Sequence, residues 1–268
     1  FLFYFLERFS REGISYTNDN STFKTASVIG LKGFKSVLAS SFCFIPIFIG
    51  FILPIIELSL WALETNVDIF NNKFLVGSFN TITLGLFTGL ICALLAIVIN
   101  FSIRFTKNKF LERLNSLMSI GYAIPGLILA VGITRFLVFS DQNVFTNINF
   151  VITGSLVGLF LAYIIKSYAL ANSSIESGYK RISNSIDNSA QLLGSSGGKL
   201  LGRIHFPLMR TSFLTAVLLV TSEVVKELPA TLILRPFNFD TLAVITYTYA
   251  AEERMYQAAL PSLAIVII

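Results

Sequence analysis

Residues Leu192–Leu208 read "LLGSSGGKLLGRIHFPL", and the class of fold turns on what this stretch is for. Gly194, Gly197 and Gly198 run into Lys199, which invites the reading of a phosphate cradle. A phosphate loop of the form G-x-x-x-x-G-K-[ST] uses backbone amides to hold phosphates and a hydroxyl to reach magnesium. Counting back five residues from Gly198 lands on Leu193, and the residue after Lys199 is Leu200, which has no hydroxyl. No apolar strand precedes the cluster, no Asp-ended strand follows it, and G-x-G-x-x-G is absent. The nucleotide reading fails on each point. The glycines are better suited to turning the chain, since glycine adopts positive φ without steric cost.

The surroundings of the stretch are those of a membrane protein. Of 268 residues, 54% are hydrophobic and only 13% charged, with 26 Phe; the mean hydropathy is +0.74. Soluble domains carry about a quarter charged residues. Five apolar runs, Ser36–Ala62, Leu75–Ile103, Leu114–Ser140, Ile148–Ala171 and Phe213–Leu234, are long enough to cross a hydrocarbon core, which takes ~20 helical residues. A sixth begins near Tyr256 and is truncated. The expected fold is all-α and polytopic, with about six transmembrane helices.

The basic residues set the orientation. Segments Glu7–Lys35, Arg104–Arg113 and Asn172–Arg210 hold fourteen Lys and Arg, against three (Lys73, Arg235, Arg254) in Leu63–Phe74, Asp141–Asn147 and Arg235–Met255. The positive-inside rule places the first set in the cytoplasm. The formal charge of +5 is thus spread over loops and makes no nucleic-acid face. Cys43 and Cys92 lie inside apolar runs and read as small buried hydrophobes. With His205 the only histidine and no Cys-x-x-Cys pair, no metal site is expected. The chain opens on Phe, has no secretory signal, and stops inside "LPSLAIVII"; it reads as a piece of a longer polypeptide.

The loop 172–210 is therefore expected at the cytoplasmic surface. A short helix Ile186–Leu193 would present Leu192 and Leu193 outward, Gly194 would turn the chain, and a second helix from about Ser196 to His205 would end at Pro207. Two such helices make a peg for a soluble partner's groove; the plainer alternative is a solvated linker. His205 reads as a packing or interface residue.

The spacing of "IDNSAQLLGSSGGKLLGRIHFP" resembles the EAA loop of ABC-importer permeases, E-A-A-x3-G-x9-I-x-L-P. Ala190, Gly194, Ile204 and Pro207 stand in register, with Phe206 for the leucine. Asn188 replaces the glutamate and Ser189 the first alanine, while Asp187, one place early, is a candidate for the missing acid. "KELPATLILRPFNFDTLAV", "YTYAAEE", "YAIPGLILAVGI" and "GFILPIIELSLWAL" are similar to the iron(III) branch of that superfamily. The resemblance runs from about Leu31 onward and is to the second half of a fused permease, with residues 1–35 as a cytoplasmic joint and 36–268 as the transmembrane domain.

The resemblance implies an ATP-driven importer subunit in a bacterial inner membrane that hydrolyses nothing itself. Its partners would be a cytoplasmic ABC ATPase dimer docked on the loop, a periplasmic binding protein delivering ferric iron, and the other permease half. No cofactor would be bound by this chain; ATP and Mg would sit on the ATPase. Related permeases carry thiamine, polyamines or phosphonates, so the cargo stays open.

Intramembrane charges are costly and usually face protein or a water-filled route. Glu223, Lys226 and Glu227 fall at i, i+3 and i+4 in the fifth run, and one Glu–Lys pair there would leave a net negative charge. Pro229 breaks the helix just beyond. The four residues are candidates for the translocation route or its outer gate, or for a salt bridge against the other half. A proton-coupled secondary transporter could also use the two carboxylates as a relay, and a membrane anchor is a blander alternative. Arg135 and Lys166 are expected near helix ends, with their charges snorkelling to the surface.

Overall fold

The computed structural model describes residues 30–64, 71–143 and 152–268. The joint expected over residues 1–35 lies almost wholly outside them. The chain divides into two compact units, Phe1–Gly50 and Phe51–Ile268. In the first, the described part is helix α1 (Phe34–Ile47), with no buried residue and with Pro46 inside it. Cys43 is exposed on this helix, contrary to the expectation that it is buried, whereas Cys92 in the second unit is buried.

The second unit holds α2 (Leu53–Glu64), α3 (Asn72–Thr106), α4 (Lys109–Ser119), α5 (Gly126–Asn143), α6 (Leu156–Lys180), α7 (Asn184–Leu192), α8 (Gly197–Leu200), α9 (Phe206–Val225), α10 (Pro229–Leu234), α11 (Leu242–Ala251) and α12 (Met255–Ile267). All regular structure among the described residues is helical. Four stretches, Phe34–Glu64, Asn72–Thr106, Leu156–Lys180 and Gly197–Val225, are long and apolar enough to cross a membrane. Lys109–Ala123 and Gly126–Asn143, bent by 115° at the break between them, meet the same length and apolarity only when taken together.

That bend corrects the straight span expected at Leu114–Ser140. Pro125 lacks the N–H that a continuing helix needs, and the residue before a proline avoids the helical region. Ile124 is accordingly extended, with φ −79° and ψ 125°. Two more differences concern the last third of the chain. The loop expected over Arg235–Met255 contains α11, a ten-residue apolar helix. The sixth run forms α12, of 13 residues.

The core is made by α3, α6 and α9. Both faces of α3 are apolar; what separates them is size. The buried stripe, Gly77, Thr81, Leu84, Gly85, Thr88, Gly89, Cys92, Ala93, Ala96, Ile97 and Asn100, consists mostly of small residues at helical spacing. Phe79, Phe87, Leu94 and Val98 point outward. In lipid, apolar burial does not drive helices together, so close approach through small residues does. A Cβ at Gly85 would lie 2.8 Å from the Thr221 methyl, and one at Gly89 2.8 Å from the Val217 carbonyl oxygen, so α9 crosses α3 over this G-x-x-x-G. Polar pairs add registry. Asn100 Nδ2 donates to Asn172 Oδ1 at 2.7 Å and the Tyr168 hydroxyl to Asn115 Oδ1 at 2.6 Å, joining α3 and α4 to α6.

Local signals fix the ends of the helices. Asn71, Asn108 and Ser155 accept from backbone amides two residues on, as N-caps do. At 35 residues α3 is about 50 Å long, so its last turn clears a hydrocarbon layer about 30 Å thick. The two basic segments assigned to one side meet there, since Arg104 reaches Asp187. Segments assigned to the opposite side also meet: Lys73 lies over the Tyr249 ring, 5.4 Å from its centroid.

Candidate coupling loop and intramembrane charges

Helix α7 ends in the manner its glycine requires. Gly194 has φ +78°. The Ser195 N–H donates to Ala190 O at 2.9 Å and the Gly194 N–H to Gln191 O at 2.9 Å, the paired bonds of a Schellman turn. Nothing lies within 4 Å of the position a Gly194 Cβ would take, so the residue serves backbone conformation alone. The turn leaves Leu192 and Leu193 at the tip, 89% and 86% exposed. This is the outward presentation that the sequence suggests.

The second half of the loop differs from the expectation. Rather than stopping at Pro207, α8 passes through a π-helical turn, Leu201–His205, into α9, and the whole runs Gly197–Val225. A proline within a helix removes one hydrogen bond and its ring crowds the carbonyl four residues back. The Phe206 N–H bonds five residues back, to Leu201 O, and the wider turn makes room for that ring. The same pattern recurs at Phe48–Ile52, directly before Leu53 and Pro54. Ile204 is half-buried and Pro207 exposed on this continuous helix.

Asp187 is buried, while Asn188 and Ser189 are exposed. Arg104 Nε donates to Asp187 Oδ2 at 2.7 Å, and His205 Nε2 lies 2.9 Å from Asp187 Oδ1. A carboxylate only accepts, so this histidine nitrogen carries the hydrogen. Asp187, the candidate for the motif's missing acid, therefore has both oxygens engaged inside the chain. The exposed residue at the glutamate's own position is Asn188. Ala190 is buried beneath the helix.

Arg104, which from the sequence had only a topological meaning, ties the base of the loop together. Its Nη1 donates to Tyr179 O at 2.9 Å, and its Nη2 to Ile182 O at 2.7 Å and Asn184 Oδ1 at 3.2 Å. Tyr179 lies in the last turn of α6, so the guanidinium sits on the carbonyl end of that helix, where a cation is favoured. His205 is fully buried, with the rings of Phe101, Phe105 and Tyr179 at 5.5, 5.9 and 5.5 Å.

The other candidates gather where α9 breaks. Glu223 pairs with Lys226 at 2.9 Å, as their spacing allows. Glu227 turns away from both and pairs with Lys166 of α6. Lys166 therefore does not snorkel; it lies mid-helix and satisfies a buried carboxylate. The four charges form two pairs, and the net negative charge expected of a single pair is absent from this cluster. Arg135 is exposed on α5.

Pro229 opens α10 at a helix start, a position where its missing N–H costs nothing. Glu227 Oε1 accepts from the Ala230 N–H at 3.4 Å, and Thr231 Oγ1 donates to Glu227 O at 2.6 Å. The Tyr163 hydroxyl meets Thr231 Oγ1 at 2.6 Å. Gly126, first residue of α5, abuts the Glu227 carboxylate, where any Cβ would overlap it. Two broken spans thus meet at one carboxylate. Among the described residues no group of three or more His, Cys, Asp or Glu is placed to hold a metal ion.

No protein-family model matches the chain. It is 24% identical over 220 residues to the Fe(3+)-transport system permease protein FbpB 2 of Haemophilus influenzae, a match covering 78% of this chain and 40% of that protein. The fold matches a chain from the crystal structure of a bacterial ABC transporter involved in the import of the acidic polysaccharide alginate. The TM-score is 0.65 at 17% identity, over 86% of this chain and 91% of that one. In sequence the chain is similar to an iron(III)-transport permease, and in fold to a chain of an ABC transporter. It spans about 40% of the length of the curated relative it matches.

Proposed function

We propose that this chain is a membrane-spanning part of an ATP-driven importer, and that α7 is the helix by which a separate cytoplasmic ATPase grips it. One observation carries the reading: two large leucines stand almost fully exposed at the tip of a short helix whose other face is pinned from within by a buried ion pair. An apolar tip held rigid is what a groove in a soluble partner can seize, because little conformational entropy is lost on docking. The loop is then cytoplasmic, as its basic residues suggest, and nucleotide hydrolysis belongs to the partner.

Likeness to the Haemophilus permease favours ferric iron, delivered by an extracytoplasmic binding protein, over thiamine, polyamines or phosphonates. Glu223, Lys226, Glu227 and Pro229 remain candidates for the route or its gate, with Lys166 now joined to them. The docking claim is tested by co-purifying the full permease with its ATPase. Leu192→Asp with Leu193→Asp should abolish retention of the ATPase while leaving the permease folded. Retention equal to that of the unsubstituted chain would remove the basis for assigning α7 this role.

A further inference from the structure

Helix α7 has only two buried residues, Asp187 and Ala190. Besides the backbone at its two ends and the Asn184 side chain, which takes a bond from Arg104, these two residues are where α7 is held against the bundle. Ala190 contributes a methyl group; Asp187 contributes bonds to two different elements. One oxygen takes Arg104 Nε of α3 and the other takes His205 Nε2 of the π-helical turn at the foot of α9. Arg104 in turn holds carbonyls at the end of α6.

We propose that Arg104, Asp187 and His205 are positioning residues that make α7 and the feet of α3, α6 and α9 move as one body. A pull on Leu192 and Leu193 would then reach three core helices at once. This rests on the reading of α7 as the ATPase-docking helix and deepens it.

The physical case is stiffness and direction. The guanidinium engages four acceptors in a planar fork, which fixes its orientation more firmly than a single contact does. His205 is wedged among three aromatic rings with no exposed surface, so it cannot swing to release Asp187 without opening the core. The π-helical turn that carries it interrupts the regular bonding ladder of the 29-residue Gly197–Val225 helix, as such turns do where helices bend. Pinning that turn to α7 converts a bendable joint into a braced one. A loop lacking the brace could still bind a partner through its leucines, but its motion would be absorbed at the joint.

The test uses the full permease with its ATPase in lipid nanodiscs, with spin labels at the exposed positions Ser185 of α7 and Leu208 of α9. Their separation is measured without nucleotide and with vanadate-trapped nucleotide, alongside ATP consumed per radiolabelled ferric ion taken up in vesicles. In the unsubstituted protein the separation should not change on trapping. His205→Leu and Asp187→Ala should keep the ATPase bound, broaden or shift the separation on trapping, and raise ATP consumed per ion about tenfold. His205→Gln, whose amide still donates to Asp187, should restore both readouts.

The linkage is overturned if His205→Leu keeps a single unchanged separation. It is equally overturned if both variants lose ATPase binding and folded yield together, for then the network only supports the fold. Should the unsubstituted permease retain no ATPase, the docking reading itself fails and takes the linkage with it. The distance measurement does not depend on the cargo being iron.

Discussion

Lys166→Met leaves the Glu227 carboxylate buried against Gly126 without its cation, and this is the perturbation whose size is easiest to work out. The Glu227 and Lys166 side chains are 6% and 17% exposed, so water screens the pair little. Removing one member of a buried pair costs about 3–5 kcal/mol, because the remaining charge is stranded, whereas replacing both by apolar groups of similar volume is often neutral or stabilising. The remaining exposure of Lys166 argues for the lower end, about 3 kcal/mol. For 150–250 residues each kcal/mol shifts the melting temperature by about 2–4 °C, and a longer full permease shifts less, so Lys166→Met should melt at most roughly 6–12 °C lower. Lys166→Met combined with Glu227→Met should regain most of that loss. Thermal unfolding of the purified full permease in one detergent, with the exposed Cys43 replaced by Ser and unfolding followed by thiol labelling of buried Cys92, measures the unsubstituted protein, Lys166→Met, Glu227→Met and the double variant. If the double variant falls by the sum of the two single losses, the side chains do not act as a pair and the reasoning fails.

Three further outcomes follow from the geometry. Gly194→Ala must place a Cβ in a left-handed conformation, which costs roughly 1–2 kcal/mol; hydrogen exchange should show α7 opening more readily, while Gly198→Ala, in open space without that φ, should leave α7 protection unchanged. Gly89→Ala drives a Cβ into the Val217 carbonyl oxygen, and overpacking of this kind costs about 1–3 kcal/mol; the full permease should lose thermal stability, whereas Gly132→Ala, with nothing within 4 Å, should not. Leu192→Asp with Leu193→Asp changes two exposed residues, so the melting temperature should stay within about 2 °C while ATPase retention disappears.

The membrane-spanning character, the positive φ at Gly194 and the exposed leucines could be read from residue order because each depends on local chemistry. Helix α3 is legible as an uncharged run, whereas the packing face over Gly85 and Gly89 emerged only with the structure. What could not be read depends on distant partners. That Asp187, a candidate for the motif's acid, is held inward depends on Arg104, 83 residues away. Lys166 looked like a snorkelling residue because its carboxylate lies 61 residues on. Helix α11 lies in a segment expected as a loop, and the Leu242 N–H on Thr81 Oγ1, at 2.8 Å, with Ile245 against Gly77, ties it to the bundle. The break at Ile124 carried a local signal, the proline that follows, and the length of the apolar run outweighed it.

The central proposal is that this chain is the membrane part of a machine driven by ATP on another subunit. Its most direct test is uptake of radiolabelled ferric iron into vesicles bearing the full permease and its ATPase, with the binding protein supplied outside and ATP inside. The account predicts uptake that requires ATP and the binding protein and that persists when proton gradients are collapsed. Uptake that proceeds without ATP and follows the proton gradient would contradict it.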